Sequence, residues 1–147
     1  MDLPNPPDVA GARLPGGRYR ITREEAALFA EAVGAGPDDR VAHPAFFFVA
    51  TPGAMGVSVD DLLAMCAFKA EDGPLLTNMS AELDAPLEVD ADYDVTGEVV
   101  SLVRKPSRTF GTVDVLTFQL DLLDQTRTRV ARVTNTWMLP RRGGQGA

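Results

Sequence analysis

The pattern of apolar and polar positions changes once along the chain, at about residue 75. Before this point apolar residues recur at helical spacing, and after it they alternate with polar residues. Thr22 opens the first helical stretch with a capping-box pattern, and Gly34 ends it. The pattern therefore predicts a helix over about residues 23–33.

A mostly apolar run follows, beginning at His43, the single histidine of the chain. Its first part, residues 45–51, is apolar on every side, as is typical of a buried helix. Pro52 and Gly53 must break or kink this helix, and Ser58 is expected to cap its continuation. The run thus predicts a central, buried helical segment with an interruption near its middle.

Four stretches with a period of two follow the central segment and predict four long strands. Short turns join most of them, which indicates an antiparallel meander and an α+β fold with the helices on one side of the sheet. A short edge strand is predicted over Arg18–Ile21. Residues 18–140 are expected to form one domain, between a proline-rich flexible arm (1–17) and a flexible tail (141–147). The apolar faces of the four strands begin at Leu75, Tyr93, Leu116 and Ala131.

Composition and charge argue against several classes of protein. The net charge of −7 argues against nucleic-acid binding, which needs a basic face. No apolar stretch is long enough for a membrane span, and the N-terminus lacks the apolar core of a signal peptide. One cysteine and one histidine favour neither a disulfide framework nor a zinc site. A cytoplasmic protein without metal or cofactor is therefore expected.

Several short motifs resemble the MaoC-like hydratase/dehydratase group of the hotdog-fold superfamily. Ile21–Glu25 followed by Phe29–Gly34 is similar to the opening helix of that group, Leu83–Leu87 to its strand ending in x-x-Pro-Val/Leu, and Arg129–Trp137 to its closing strand. The resemblance covers about residues 18–140 and is closest to the N-terminal dehydratase-type domains. It implies a hotdog fold, in which an antiparallel sheet wraps around a central helix. It also implies hydration or dehydration of a 2-enoyl/3-hydroxyacyl thioester carried by CoA or an acyl carrier protein.

Two alignments of the catalytic loop compete. In the first, Asp38 and His43 keep the Asp-x4-His spacing of the group's acid/base pair, in which a carboxylate and an imidazole face one water. In the second, the loop is deleted, and His43 to Phe46 open the central helix as in N-terminal dehydratase domains, which commonly lack the pair. The group's Gly-Asp turn is also replaced here, by Asp90-Ala91. Under the second alignment the chain is a non-catalytic half that works with an active one.

The central segment and the strands supply further candidates for the site. Gly53, Ala54 and Met55 would polarise a thioester carbonyl if they begin a helix, whose N-terminal N–H groups are unpaired. Phe47 is expected to line an acyl tunnel. Asp61 lies near the position of the carboxylate that activates water in hotdog thioesterases. Polar strand residues that face either a ligand or solvent are Asn78, Asn135 and Thr136.

Three functions remain open at this point. The chain is a hydratase/dehydratase, or a thioesterase or natural-product (polyketide) tailoring enzyme, or a non-catalytic hotdog subunit that pairs with an active hydratase. Each interpretation implies an acyl thioester as the substrate. Each also implies a homodimer or a heterodimer with another hotdog protein, because long strands would otherwise leave open edges.

Overall fold

The computed structural model describes residues 3–36 and 38–141. Within these residues it has the α+β architecture that the sequence predicts. The helices are α1 (Arg23–Ala32), α2 (Phe47–Gly53) and α3 (Val59–Met65), with short 3₁₀ turns at Pro44–Phe46 and Ala70–Asp72. The strands are β1 (Arg13–Arg20), β2 (Leu75–Leu83), β3 (Asp92–Ser107), β4 (Gly111–Leu123) and β5 (Arg129–Pro140). No described helix is long and apolar enough to span a bilayer.

The five described strands form one antiparallel sheet in the order β1-β3-β4-β5-β2. Alternate residues of β4, β5 and the first half of β3 are buried, because one face of the sheet packs on the helices. The helical layer contributes Phe46 and Ala50 to this core, at 1% and 0% exposure. Strand β2 differs from the other long strands in that all nine of its residues are exposed.

The local signals in the helical half are confirmed. Thr22 accepts the N–H of Glu25 at 3.2 Å and caps α1. Ser58 accepts the N–H of Asp61 at 3.0 Å and caps α3. The central segment is interrupted as expected, because α2 ends at Gly53 and α3 begins only at Val59.

Strand β1 begins earlier than the sequence indicates. It starts at Arg13, within the predicted flexible arm of residues 1–17, and pairs with β3 through a register shift between Leu14 and Gly17. Gly16 has φ +72°, and a Cβ there would lie 2.2 Å from the carbonyl oxygen of Val95. Gly16 and Gly17 therefore form a bulge that permits this close approach. Residues 1 and 2 lie outside the described part of the chain.

The predicted flexible tail also needs correction at its first residue. Arg141 donates from Nε to Oδ2 of the buried Asp114 at 2.7 Å, so it belongs to the folded domain. The rest of that tail, residues 142–147, lies outside the described residues.

Candidate functional site

A cavity of about 200 Å³ lies between the helical layer and the sheet. Helix α2 and the start of α3 form one side, and the inner faces of β2, β4 and β5 form the other. Its volume exceeds the ~150 Å³ of an apolar cavity that holds benzene, so a small ring or a short acyl chain fits. The lining is mostly apolar and consists of Phe48, Thr51, Pro52, Met55, Val59, Leu76, Met79, Phe118, Leu120, Asn135 and Trp137.

The cavity meets solvent beside strand β2. Among its lining side chains, Phe48 is 56% exposed, Val59 46% and Leu76 65%. Leu76 belongs to β2, which is hydrogen-bonded on one side only, to β5. In the single chain the cavity is therefore open on the side of the unpaired sheet edge.

Two polar side chains interrupt the apolar lining of the cavity. Thr51 is 1% exposed, and its hydroxyl donates to the carbonyl oxygen of Phe47 at 2.8 Å. Asn135 is 5% exposed and extends from the inner face of β5. Asn135 is among the polar strand residues that the sequence marks as candidates, and its signal is its position within the otherwise apolar face of that strand.

Asp38 and His43 line a second groove, of about 190 Å³, near the C-terminal end of α1. This groove shares no lining residue with the cavity between the helices and the sheet. Within residues 3–36 and 38–141, no hydrogen bond or ion pair joins Asp38 to His43. The acid/base pair therefore stays a prediction, supported by proximity to a common groove.

A backbone hydrogen bond occupies His43. Its Nδ1 accepts the N–H of Ala45 at 3.1 Å, which caps the 3₁₀ turn Pro44–Phe46 directly ahead of α2. The ring packs on Phe29, with the ring centroids 5.8 Å apart. Since Nδ1 accepts, the neutral ring carries its proton on Nε2. His43 thus acts as the first residue of the central helical segment.

Backbone hydrogen bonds also hold Asp38. One carboxylate oxygen accepts the N–H groups of Arg40 at 2.8 Å and of Val41 at 3.1 Å. These two bonds favour the charged form and lower the pKa of Asp38 below its ordinary value. A lower pKa makes the carboxylate a weaker base, which disfavours proton abstraction by this exposed group.

The oxyanion-hole expectation is wrong in its geometry. Gly53 is the last residue of α2, so it stands at a helix C-terminus, where carbonyl groups are unpaired, and not at an N-terminus. Ala54 is buried in the core at 8% exposure. Of these three residues only Met55 lines the cavity.

The remaining candidates lie elsewhere. Phe47 packs against the core, whereas the next residue, Phe48, lines the cavity. Asn78 lies on the opposite face of β2, because successive side chains alternate and Met79 faces the cavity. Asp61 is exposed in the first turn of α3 and is not part of the lining. In the described parts of the chain, no three His, Cys, Asp or Glu side chains cluster as metal ligands would.

Solved structures share this fold. The ChsH1–ChsH2 complex from Mycobacterium tuberculosis matches with a TM-score of 0.67 and 15% identity, covering 87% of this chain and 84% of that one. The truncated HadBC (3R-hydroxyacyl-ACP dehydratase) complex from the same organism matches with a TM-score of 0.61 and 17% identity, covering 89% and 97%. A MaoC-like dehydratase from Rhodospirillum rubrum matches with a TM-score of 0.54 and 17% identity, covering 90% and 93%.

These likenesses confirm that the chain has the hotdog fold of the MaoC-like proteins. All three identities are below 20%, so they establish the fold alone. Neither a protein-family model nor a curated protein matches the sequence.

Proposed function

We propose that this protein is an acyl-binding subunit of a hotdog hydratase/dehydratase. In this function the cavity below α2 holds the acyl chain of a 2-enoyl or 3-hydroxyacyl thioester carried by CoA or an acyl carrier protein. The observation that carries the proposal is the mostly apolar cavity of about 200 Å³, which meets solvent beside an unpaired sheet edge. Two solved structures of the same fold are described as dehydratases, which supports this substrate class.

A second hotdog chain is proposed to pair along β2. This strand is an edge of the sheet and exposes four large apolar side chains, a combination that soluble monomers avoid. HadBC and ChsH1–ChsH2 are both described as complexes, which favours such pairing. The exposed apolar residues of β2 are Leu75, Leu76, Met79 and Leu83.

Lysine at both ends of β2 is expected to weaken the pairing at least tenfold. The double variant Leu75→Lys/Leu83→Lys places two charges where the second chain would desolvate them, without changing a cavity-lining residue. Its matched control, Val100→Lys/Val103→Lys, alters two side chains of similar exposure on β3, which β4 and β5 separate from β2 in the sheet. A tenfold loss corresponds to about 1.4 kcal/mol.

Sedimentation measures the pairing, with the chain alone and mixed with an active hotdog hydratase from the same organism. The 15.7 kDa chain should form a dimer in one of the two samples. The β2 variant should dissociate at concentrations at which the β3 variant stays paired. A chain that remains monomeric in both samples would refute the pairing.

The second candidate function is catalysis by this chain itself, and the shared groove of Asp38 and His43 favours it. His43→Asn separates the two functions, because asparagine can still accept the N–H of Ala45 and cap the turn. If the chain is an acyl-binding subunit, the pure protein does not hydrate crotonyl-CoA. The mixed complex then hydrates it equally well with the wild-type chain and with the His43→Asn variant.

The rate is followed by the loss of enoyl absorbance. Asp38→Asn is the companion variant, since an amide oxygen can still accept the N–H groups of Arg40 and Val41. A drop of about a hundredfold or more in either variant is what general acid–base catalysis by the pair would give. That result would replace the first candidate function with the second.

A further inference from the structure

The cavity holds a polar side chain that no described protein group satisfies. Within residues 3–36 and 38–141, no hydrogen bond reaches the amide of Asn135, although the residue is only 5% exposed. The described residues contain no fully buried side-chain nitrogen or oxygen atom that lacks a partner. The amide of Asn135 must therefore keep its small accessible area on the cavity that it lines. By contrast, the hydroxyl of Thr51 is satisfied by the carbonyl of Phe47.

The fold does not need an amide at this position. Val133, Trp137 and Leu139 share the inner face of β5 with Asn135, and all three are buried and apolar. The cross-strand neighbours of Asn135 are Phe118 on β4 and Met79 on β2, which are apolar as well. A leucine or valine would pack among these side chains without burying an amide. The amide is thus placed where it costs stability and can act only on what enters the cavity.

We propose that Asn135 hydrogen-bonds to an oxygen carried within the acyl chain, so that the occupant is an oxygenated acyl group and not a plain saturated chain. This inference rests on the proposed acyl-binding function. An asparagine amide both donates and accepts, so a hydroxyl group, which does the same, pairs with it fully. A saturated chain would fill the cavity and leave the amide without water and without a partner.

Trp137 provides a fluorescence signal for binding in the cavity. It is the single tryptophan of the chain and lines the same cavity, so its fluorescence reports occupancy directly. The purified full chain is titrated with octanoyl-CoA and with 5-hydroxyoctanoyl-CoA and 7-hydroxyoctanoyl-CoA. At least one hydroxylated thioester should bind about tenfold more tightly than octanoyl-CoA, because only it satisfies the amide.

Asn135→Leu should abolish that preference and bind octanoyl-CoA as tightly as the unmodified chain, or more tightly. Asn135→Val is a second variant with a side chain that suits a strand, in case the leucine disturbs packing. Thr136→Val is the matched control, because the neighbouring side chain lies on the other face of β5 and should leave the preference intact. A preference that survives both Asn135 variants would overturn the inference.

The outcomes separate this inference from the proposed function. If all three thioesters bind equally well, the chain binds acyl groups but Asn135 does not select oxygen. If none binds, cyclohexanol and methylcyclohexane replace them as probes of the cavity alone. An Asn135-dependent preference for cyclohexanol would then retain the amide site and refute the acyl thioester, whereas equal or absent binding of both probes would refute the amide site as well.

Discussion

Replacing Asp114 with alanine is expected to lower the free energy of unfolding by about 3–5 kcal/mol, since it removes the shared partner of two arginines. Asp114 lies on β4 with no exposed surface. Its carboxylate accepts from Nε of Arg104 at 2.8 Å and from Nε of Arg141 at 2.7 Å. Arg141 also donates to the carbonyl oxygens of Cys66 and Ala67, just beyond α3. The carboxylate thus ties the ends of β3, β5 and α3 together.

Asp121→Ala is the matched control on the same strand. Asp121 makes a similar two-bond pair with Arg132, but the arginine side chain is 38% exposed and the pair is screened by water. This variant should cost less than about 1 kcal/mol. The midpoint temperature of thermal unfolding should therefore fall by roughly 10 °C for Asp114→Ala and by no more than a few degrees for Asp121→Ala. Equal losses would mean that the buried carboxylate of Asp114 contributes no more stability than the partly exposed carboxylate of Asp121.

Acid should remove the stability that the ionised carboxylate of Asp114 gives to the fold. Burial alone would raise the pKa of its carboxyl group, but the hydrogen bonds and charges of Arg104 and Arg141 outweigh burial and lower it. A pKa that is lower in the folded than in the unfolded chain stabilises the fold above the unfolded value of about 3.9 and loses this effect below it. The difference in stability between wild type and Asp114→Asn should thus shrink as the pH falls below about 4.

Filling the cavity from its rim is expected to weaken acyl binding about 50-fold. Val59 is the first residue of α3, lines the cavity and is 46% exposed, so a phenylalanine there can extend into the empty space without overpacking the core. The added ring would displace roughly three CH₂ groups of a bound chain, at about 0.8 kcal/mol each. The sum corresponds to about 50-fold in affinity.

Calorimetric titration with octanoyl-CoA measures this loss. Val100→Phe is the control, because Val100 is 43% exposed on β3 and does not line the cavity. Both variants should unfold at about the wild-type temperature. Unchanged affinity in Val59→Phe would show that the acyl chain binds elsewhere.

Much of the fold could be predicted because its signals are local. The hydroxyl caps at Thr22 and Ser58 and the period-two strands each depend on a few neighbouring residues, and the structure confirms them. The bulge at Gly16 could not be predicted, because it exists to let β1 approach Val95, a residue far away in sequence. The sequence places Arg141 in a tail for the same reason, because its partner Asp114 on β4 is also far away in sequence.

The site was less predictable than the fold. A run that is apolar on all sides does not indicate which of its phenylalanines faces a cavity, and Phe48 lines it where the sequence favours Phe47. Tertiary structure also decides whether a helix ends or begins at Gly53, and in the structure α2 ends there. Asn135 is the exception, since a polar residue on the apolar face of β5 is visible in the sequence itself.

Photochemical labelling tests the central claim most directly. An octanoyl-CoA analogue with a diazirine at the end of its chain is irradiated with the protein, and the labelled residues are identified by mass spectrometry. If the cavity below α2 holds the acyl chain, the label should lie on cavity residues such as Thr51, Met55 and Met79, and excess octanoyl-CoA should remove it. Label on the groove of Asp38 and His43, or label that octanoyl-CoA does not displace, would contradict the account.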